Sequence, residues 1–377
     1  MFFDAGGGHR SAANALIKAI DMQQLPWEAR MVNLQLTLER LDAFRNVTGI
    51  RLEDLYNIML KKGWTLGSAQ LLTFMQFVIR AFHRAHVKEL VKHWNNTKPD
   101  MVVSLVPNFN RCMYQAIQRL EKPIPYVTVL TDIADYPPHF WIECNQNQYI
   151  ICGSKKAEAQ ALQMGHDRQR VFRTSGMILN PKYYEVPEVD RVAERARLGL
   201  SDLPTGLVMF GGQGSASMVE ILDRLEASDL KLQLIMICGK NTKLADKLRA
   251  RKTKMPVFIE GFTERVPYYM RVSDFFIGKP GPGSISEAVA LGLPVLVERN
   301  VWTLPQERYN ADWVQENEIG DVVSSFAEVV DAVGNLLAGS TLARCRANAA
   351  RMQNRAVFEI PEILRSILAS GSPSAHS

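Results

Sequence analysis

Cysteine, long apolar runs and excess charge are all scarce in this 377-residue chain. The five cysteines (Cys112, Cys144, Cys152, Cys238 and Cys345) are scattered and odd in number, with no close pair at metal-ligand spacing. That pattern excludes a disulfide framework and a thiolate metal site, and it fits reduced thiols in a cytoplasmic protein. The longest uncharged run, Gly63 to Ile79, is interrupted by Thr, Ser and Gln, so an integral membrane span is excluded while a peripheral association stays open. A net charge of +5, from 44 Lys and Arg against 39 Asp and Glu, is too small to argue for nucleic acid. It does favour anionic surfaces and phosphate-bearing ligands. No glycine run is followed by Lys-Ser/Thr, which removes the usual nucleotide-triphosphate loop, and no good Gly-x-Gly-x-x-Gly fingerprint occurs.

What is present is a soluble, globular composition, 47% hydrophobic and 22% charged, at a length that allows two domains. The most informative stretch is Gly278-Lys279-Pro280-Gly281-Pro282-Gly283-Ser284-Ile285-Ser286-Glu287-Ala288. An apolar run from Asp274 enters a glycine-proline turn, and the pattern predicts a helix from about Ser284. Glycine lets the backbone approach a ligand, and a helix start offers unpaired N–H groups to an anion. Glu287, one turn in, is placed to reach a ribose diol beside a bound diphosphate.

Met1 to Asp4 reads as the tail of a strand, clipped relative to an ordinary first strand, running into Ala5-Gly6-Gly7-Gly8-His9-Arg10 and a helix. His9 therefore falls at the rim of a sheet, where α/β proteins bind ligands. Strands are expected at residues 29–34, 100–105, 125–130, 149–152 and 171–174, with Asn108 and Asn110 following the second of these. Thr131-Asp132 ends the third, which puts Asp132 on the rim shared with His9, as orienter of the imidazole or as an alternative base. Tyr136-Pro137-Pro138-His139-Phe140-Trp141 is an aromatic loop suited to line an acceptor site. Residues 39–94 read as helical and basic. Their Leu- and Phe-rich segment 71–79, with Lys61, Lys62, Arg80, Arg84, Lys88 and Lys92 around it and Trp64 and Trp94 at the ends, suits an anionic headgroup layer. Covering the sheet is the alternative role for these helices.

A second strand-helix series starts at Gly206, after a connector at residues 176–187. It places Phe210-Gly211-Gly212-Gln213-Gly214 after one strand, Gly239-Lys240-Asn241 after the next, and Gly261-Phe262 after a third. Residues 294–298 form another strand, residues 304–311 follow it, and residues 339–368 are helical. Two alternating halves predict two doubly wound α/β domains facing one another across a cleft.

Together, Asp4 to Arg10, Thr131-Asp132 up to Trp141, Phe210 to Gly214, Gly278 to Ala288 and the looser Gln306-Glu307-Asn310 resemble one glycosyltransferase family. It contains plant monogalactosyldiacylglycerol synthase and the bacterial processive diacylglycerol glucosyltransferases; the peptidoglycan N-acetylglucosaminyltransferase is a more distant relative. The resemblance spans residues 1 to about 315. It implies the GT-B fold: an acceptor-binding Rossmann-like domain at 1–178, a UDP-sugar-binding one at 179–345, a helix at 346–369 crossing back, and a disordered tail at 370–377. It also implies inversion at the anomeric carbon, with no metal and no cofactor, the UDP-sugar being a co-substrate. The roles it suggests are His9 and Asp132 for catalysis. Gly211, Gly212, Gln213, Gly214, Phe262, Gly281, Pro282, Gly283, Ser284, Glu287, Gln306 and Glu307 would hold the donor. Gly7, Gly8, Asn108, Tyr136, His139 and Trp141 would hold the acceptor. The implied partners are a UDP-sugar, a lipid acceptor such as diacylglycerol and an anionic membrane touched peripherally on its cytoplasmic face, not nucleic acid. Gly212-Gln213-Gly214, where the lipid synthases commonly have Gly-Glu-Gly, together with Lys279-Pro280-Gly281 and Tyr136-Pro137-Pro138, leaves sugar and acceptor open. A UDP-sugar 2-epimerase, a transferase with a soluble acceptor and a non-catalytic UDP-sugar-binding protein are the alternatives.

Overall fold

The computed structural model describes residues 1–4, 7–39 and 68–371. Ala5 and Gly6 of the first glycine turn, the basic and aromatic positions Lys61, Lys62 and Trp64, and the tail from residue 372 lie outside them. The chain divides into two compact units: residues 1–181, 304–306 and 354–377, and residues 182–303 and 307–353.

In the first unit, β1 (Val102–Ser104), β2 (Tyr126–Val129), β3 (Tyr149–Cys152) and β4 (Val171–Arg173) form a parallel sheet in that order. Every residue of β2 is buried, as expected of a parallel strand covered on both faces. The strand expected at 29–34 is reduced to a single parallel bridge, Phe2 to Asn33. Its extension is cut short because Asn33 already caps the helix Leu34–Thr37, accepting from the Gln35 N–H at 2.9 Å. The chain start lies beside β1, where Leu105 N donates to Met1 O at 3.0 Å.

The helix Gly8–Met22 buries Ala12, Ala13, Ala15, Leu16, Ala19 and Ile20, a stripe at helical spacing. Its small residues allow close approach of the helix Ala356–Gly371, which packs on it, and Gln23 Nε2 ties the pair by donating to Phe358 O at 2.9 Å. The helices Ser68–Ala81 and His83–Thr97 follow one another directly. Trp94, expected at a membrane interface, is only 2% exposed and packs with Leu34, Val87, Leu90 and Met113. Burying that indole is worth more than placing it in a headgroup layer, because its helix presents Val87, Leu90 and Trp94 on one face.

The second unit holds a six-stranded parallel sheet in the order β10-β9-β8-β5-β6-β7. These strands are β5 (Thr205–Met209), β6 (Gln233–Ile237), β7 (Val257–Glu260), β8 (Phe275–Gly278), β9 (Val295–Glu298) and β10 (Gly320–Val323). The last was not expected from the sequence. Strand periodicity sorts neighbouring residues into two cores: Leu234, Met236, Phe275 and Ile277 enter one, Ile235, Ile237 and Phe276 the other. At the foot of β8 the buried Asp274 accepts from Arg191, Arg195 and Arg346 side chains at 2.8, 2.7 and 2.7 Å and from the Thr205 N–H at 2.8 Å. This cluster fastens the helix Thr341–Arg351 to the second unit, where Cys345 and Ala349 are buried. The single helix expected at 346–369 is therefore two: one ends at Arg351, and Ala356–Gly371 belongs to the first unit. The connector at 176–187 is anchored rather than loose, with Met177, Leu179 and Tyr183 all buried.

Candidate active site

In the first unit, Gly7 caps the helix that opens with Gly8 and His9. Thr131, just past β2, brings its Oγ1 to 3.0 Å from His9 Nδ1. Burial lowers the His9 pKa to about 4, against a smaller opposing pull from the Leu105 backbone carbonyl. The imidazole is thus neutral at ordinary pH and able to accept a proton. The hydroxyl on Nδ1 belongs to the neighbour of Asp132, the residue expected as orienter or alternative base. One residue past a strand end reverses the face a side chain occupies, and the motif alone did not distinguish the two.

Asp132 is buried and accepts the Trp141 indole N–H through Oδ2 at 2.7 Å. Trp141 is fully buried, so it does not line an acceptor surface as expected. Its ring lies 5.8 Å from the His9 ring, and its main chain is clamped on both sides. The N–H donates to Asp135 Oδ1 at 2.6 Å, and the carbonyl accepts from Asn110 Nδ2 at 2.9 Å. Asp135 also accepts the His139 N–H at 3.0 Å, which folds the aromatic loop back on itself. Asp135 escaped the sequence reading, although an Asp just before a proline turn is a signal for such a clamp. His139 is exposed beside Cys144, Tyr136 is partly exposed, and Asn108 accepts from Gln76 Nε2 at 3.0 Å. His9, Thr131, Asp132 and Trp141 thus form one assembly, and Asn108, Tyr136 and His139 occupy the loops that follow β1 and β2.

In the second unit, the phosphate-type loops gather at one sheet edge. β5 is flanked by β6 and β8, so the strand order reverses there, and crevices outside such carboxyl ends are where open α/β sheets hold ligands. Gly211–Gln213 makes a tight turn after β5, and Gly214 takes a left-handed φ of 61° before the helix Ser217–Glu226. Lys240 N donates to Gly212 O at 2.8 Å, packing the loop after β6 against that turn. Phe262, after β7, is 63% exposed, with Lys240 Nζ 5.4 Å from its ring centre. Next to β5, β8 ends at Gly278, where a Cβ would stand 2.5 Å from Met209 O, so only glycine lets the two strand ends close up.

The helix after β8 starts at Pro282, earlier than the expected Ser284, with Gly281 as its N-cap and no side chain capping it. Proline is well suited to the first helical position, since its missing N–H has no helical role there. Gly283 and Ser284 supply the leading N–H groups. Lys279 Nζ pairs with Glu307 Oε1 at 2.9 Å, and Asn310 Nδ2 donates to Pro280 O at 2.8 Å. Glu307, expected to hold the donor, is thereby tied to the turn. Gln306 falls with the first unit and Glu307 with the second, so that pair is divided between them. Glu287 sits one turn into the helix. Burial raises its pKa to about 7, opposed by the Tyr183 phenol and by Lys182. Tyr183, more than a hundred positions away in sequence, carried no motif and was missed.

Comparison with known proteins agrees with this division. Residues 9–177 match the monogalactosyldiacylglycerol (MGDG) synthase family model, and residues 206–310 match the glycosyltransferase family 28 C-terminal domain model. Monogalactosyldiacylglycerol synthase 2, chloroplastic, of Arabidopsis thaliana is 28% identical over 379 residues, covering 96% of this chain and 78% of its own. The spinach (Spinacia oleracea) synthase is 29% identical over 351 residues, covering 88% and 64%. Among solved structures, MurG of Acinetobacter baumannii superposes with a TM-score of 0.60 at 13% identity, over 97% of both chains. Spinosyn rhamnosyltransferase SpnG, in complex with thymidine diphosphate, gives a TM-score of 0.56 at 10% identity, over 95% and 97%.

The fold expected from the sequence is borne out: the protein has the GT-B fold and is a glycosyltransferase. More narrowly, it is similar to the monogalactosyldiacylglycerol synthases, whose family model matches residues 9–177.

Proposed function

We propose that the protein transfers a hexose from a UDP-sugar to a membrane lipid acceptor such as diacylglycerol, inverting the anomeric carbon and using no metal or cofactor. The observation that carries this reading is the meeting of two glycine-lined helix starts at the ends of the adjacent strands β5 and β8. Backbone N–H groups and helix N-termini there suit the diphosphate of a UDP-sugar. Phe262 offers its exposed face to the uracil, and Glu287 reaches the ribose.

The acceptor hydroxyl attacks C1 in line from the face opposite the leaving diphosphate. Its oxygen forms the new glycosidic bond while the bond from C1 to the UDP oxygen breaks, and the hydroxyl proton passes to His9 Nε2. Thr131 fixes the ring through Nδ1, and Asp132, held by Trp141, adds negative charge to the region where the imidazolium forms. The charge that develops on UDP is met by N–H groups of the Gly211–Gly214 turn and of Gly283 and Ser284.

The lipid acceptor is supported by the names of the relatives and by one surface of the first unit. Phe74 and Phe77 are 51% and 68% exposed on the helix Ser68–Ala81, and Arg80, Arg84 and Lys88 are exposed after them. No helix among the described residues is long and apolar enough to cross a membrane, and this surface suits peripheral contact with an anionic, cytoplasm-facing leaflet. The test is incubation of the purified protein with a panel of UDP-sugars and a total lipid extract, read by mass. A lipid product heavier by one hexose residue is expected with one of them. Consumption of UDP-sugar without any glycolipid would reject the lipid acceptor.

A further inference from the structure

We propose that the second unit carries a separate anion site, at the end of its sheet remote from the glycine turns, where Arg191 and Arg346 together bind a small phosphate dianion, as the free ion or as a phosphomonoester. The site goes beyond the donor reading and does not depend on it. Three guanidinium groups, those of Arg191, Arg195 and Arg346, surround the single buried carboxylate of Asp274. Arg195 is fully employed. It is 5% exposed, pairs with Asp274 Oδ2 at 2.7 Å, and donates through Nε and Nη1 to the Val272 and Leu203 carbonyls at 2.9 and 3.3 Å. The other two are not. Arg191 and Arg346 each send Nη2 to the same oxygen, Asp274 Oδ1, at 2.8 and 2.7 Å. Those Nη2 atoms also meet the Ser273 and Asp274 carbonyls, and no other described residue accepts from either fork. Arg191 Nε is buried without a partner, while the two side chains as wholes are 33% and 34% exposed, open enough for a small solute.

The charges do not balance. Three cations against Asp274 leave a surplus of two, and Asp202, 3.8 Å from Arg195 and 72% exposed, offsets little of it. Burial, and after it Arg195 and Arg346, lowers the Arg191 pKa against the pull of Asp274, the response of a cation crowded by its own kind. Two guanidinium groups that share one oxygen and keep idle N–H groups suit a tetrahedral dianion. It accepts from both forks and cancels the surplus, whereas a carboxylate would cancel only half of it. The donor diphosphate does not fill this role. Asp274 precedes β8 and the Gly281 turn follows it, and the four residues of that strand span about 13 Å. Arg191 opens the helix Arg191–Arg197 and Arg346 lies within Thr341–Arg351, so an anion held by both would fasten the two helices together.

The experiment is calorimetric titration of inorganic phosphate into the full-length protein, at mildly alkaline pH and with ionic strength held constant by chloride. The proteins are the wild type, Arg191→Gln, Arg346→Gln and Arg346→Lys. Arg346→Gln leaves Asp274 paired with Arg191 and Arg195, so the second unit keeps its anchor. Each Gln variant should weaken phosphate roughly tenfold or more, the usual worth of a hydrogen bond to a charged group. Arg346→Lys keeps the charge but loses the fork, so its affinity should fall between the two. In the wild type, phosphate should slow hydrogen exchange in residues 191–197 and 341–351, and in Arg346→Gln it should not. Glycerol 3-phosphate sorts the two sources: affinity equal to that of phosphate identifies a phosphomonoester, and failure to bind identifies the free ion. A wild type that binds no phosphate overturns the proposal. So does binding that both Gln variants retain at full strength, which would put the anion at the glycine turns instead. Should Arg346→Gln fail to fold, Arg346→Lys and the wild-type exchange pattern still decide, since wild-type affinity in the first or protection confined to other peptides in the second rejects the site.

Discussion

The two units differ most plainly in histidine. All seven in the chain lie at or before residue 166 or at residue 376, so the second unit has none. The first unit assembles its chemistry from side chains that can exchange a proton: His9 on Thr131, with Asp132 on Trp141. The second assembles its site chiefly from main-chain N–H groups at Gly211–Gly214, Gly283 and Ser284, which do not titrate, with the Glu287 carboxyl one turn on. A diphosphate must be held equally well before and after the reaction across the physiological range. An acceptor hydroxyl has to lose its proton only as the bond forms. Backbone dipoles suit the first task and an imidazole suits the second, which gives each unit a chemistry the other lacks.

The largest expected effect tests that separation directly. His9→Ala should lower transfer by roughly 100- to 1000-fold, the usual contribution of a positioned acid-base group, while UDP affinity stays at the wild-type level. Rates from a single-turnover assay and affinity from titration of UDP check the two halves independently. Transfer unchanged in His9→Ala would remove the base from the first unit. Transfer and UDP affinity falling together would show that the two chemistries are not separable. Above about pH 5, protonation of His9 should impose no acidic limb on the wild-type rate, since its pKa lies near 4 in the ligand-free protein.

The same division decided how much could be read from sequence. Gly211, Gly214 and Gly278 announced themselves because a tight turn or a close strand approach leaves few residue types able to serve, and their place between a strand and a helix is a local pattern. His9 and Asp132 could be placed on one rim because strand ends share an edge. Which group touches the imidazole could not be, because Thr131 and Asp132 are adjacent and only side-chain direction separates them. Trp141 looked like a ligand-facing aromatic, yet its indole N–H finds the buried Asp132, and nothing in the spacing 132–141 reveals that. Tyr183 lies far in sequence from the Gly278–Ala288 stretch and in no motif of its own. β10 was missed because Gly320–Val323 is short and carries an Asp, and its place is fixed by pairing with β9.

The next effect is on stability in acid, where the units should part company. His9 and His86 both have pKa values lowered to about 4, in each case chiefly by burial; for His86 the nearby His83 adds to it. In the unfolded chain a histidine takes up its proton near pH 6.5, so there the unfolded state binds protons first. The first unit should therefore lose stability progressively as pH falls from about 6.5 to about 4, by a few kcal/mol in all, and no further from these groups below that. The second unit loses stability in the same direction but only at lower pH. Burial pushes the Asp274 carboxyl up, but Arg191, the Thr205 N–H, Arg195 and Arg346 outweigh it and hold the carboxyl below its usual range. Its contribution persists above the unfolded carboxylate pKa and is lost only as pH drops through the lower folded value. Hydrogen exchange resolved by peptide should show residues 83–117 opening at a higher pH than residues 205–278. Simultaneous opening of both would mean that the histidines are not what limits the first unit.

The smallest effect concerns the membrane, and it can break the comparison from the other side. Phe77 and Phe74 on the first unit and Trp302 on the second are all large, apolar and about half exposed or more. Exposure alone therefore does not distinguish the two surfaces. Charge does: the exposed Arg80, Arg84 and Lys88 follow the phenylalanines in sequence, and basic residues near an anionic surface contribute about 1 kcal/mol each. Trp302 instead follows Arg299, which is already paired with Asp312, and its N–H donates to Asn300 Oδ1 at 2.8 Å in a closed loop. Flotation with liposomes containing anionic lipid should show Phe77→Ser reducing bound protein several-fold and Arg80→Gln together with Arg84→Gln removing most of its salt sensitivity. Trp302→Ser should leave binding as it was. If Trp302→Ser costs as much as Phe77→Ser, the membrane is met by both units, and contact with lipid cannot be counted among the properties that separate them.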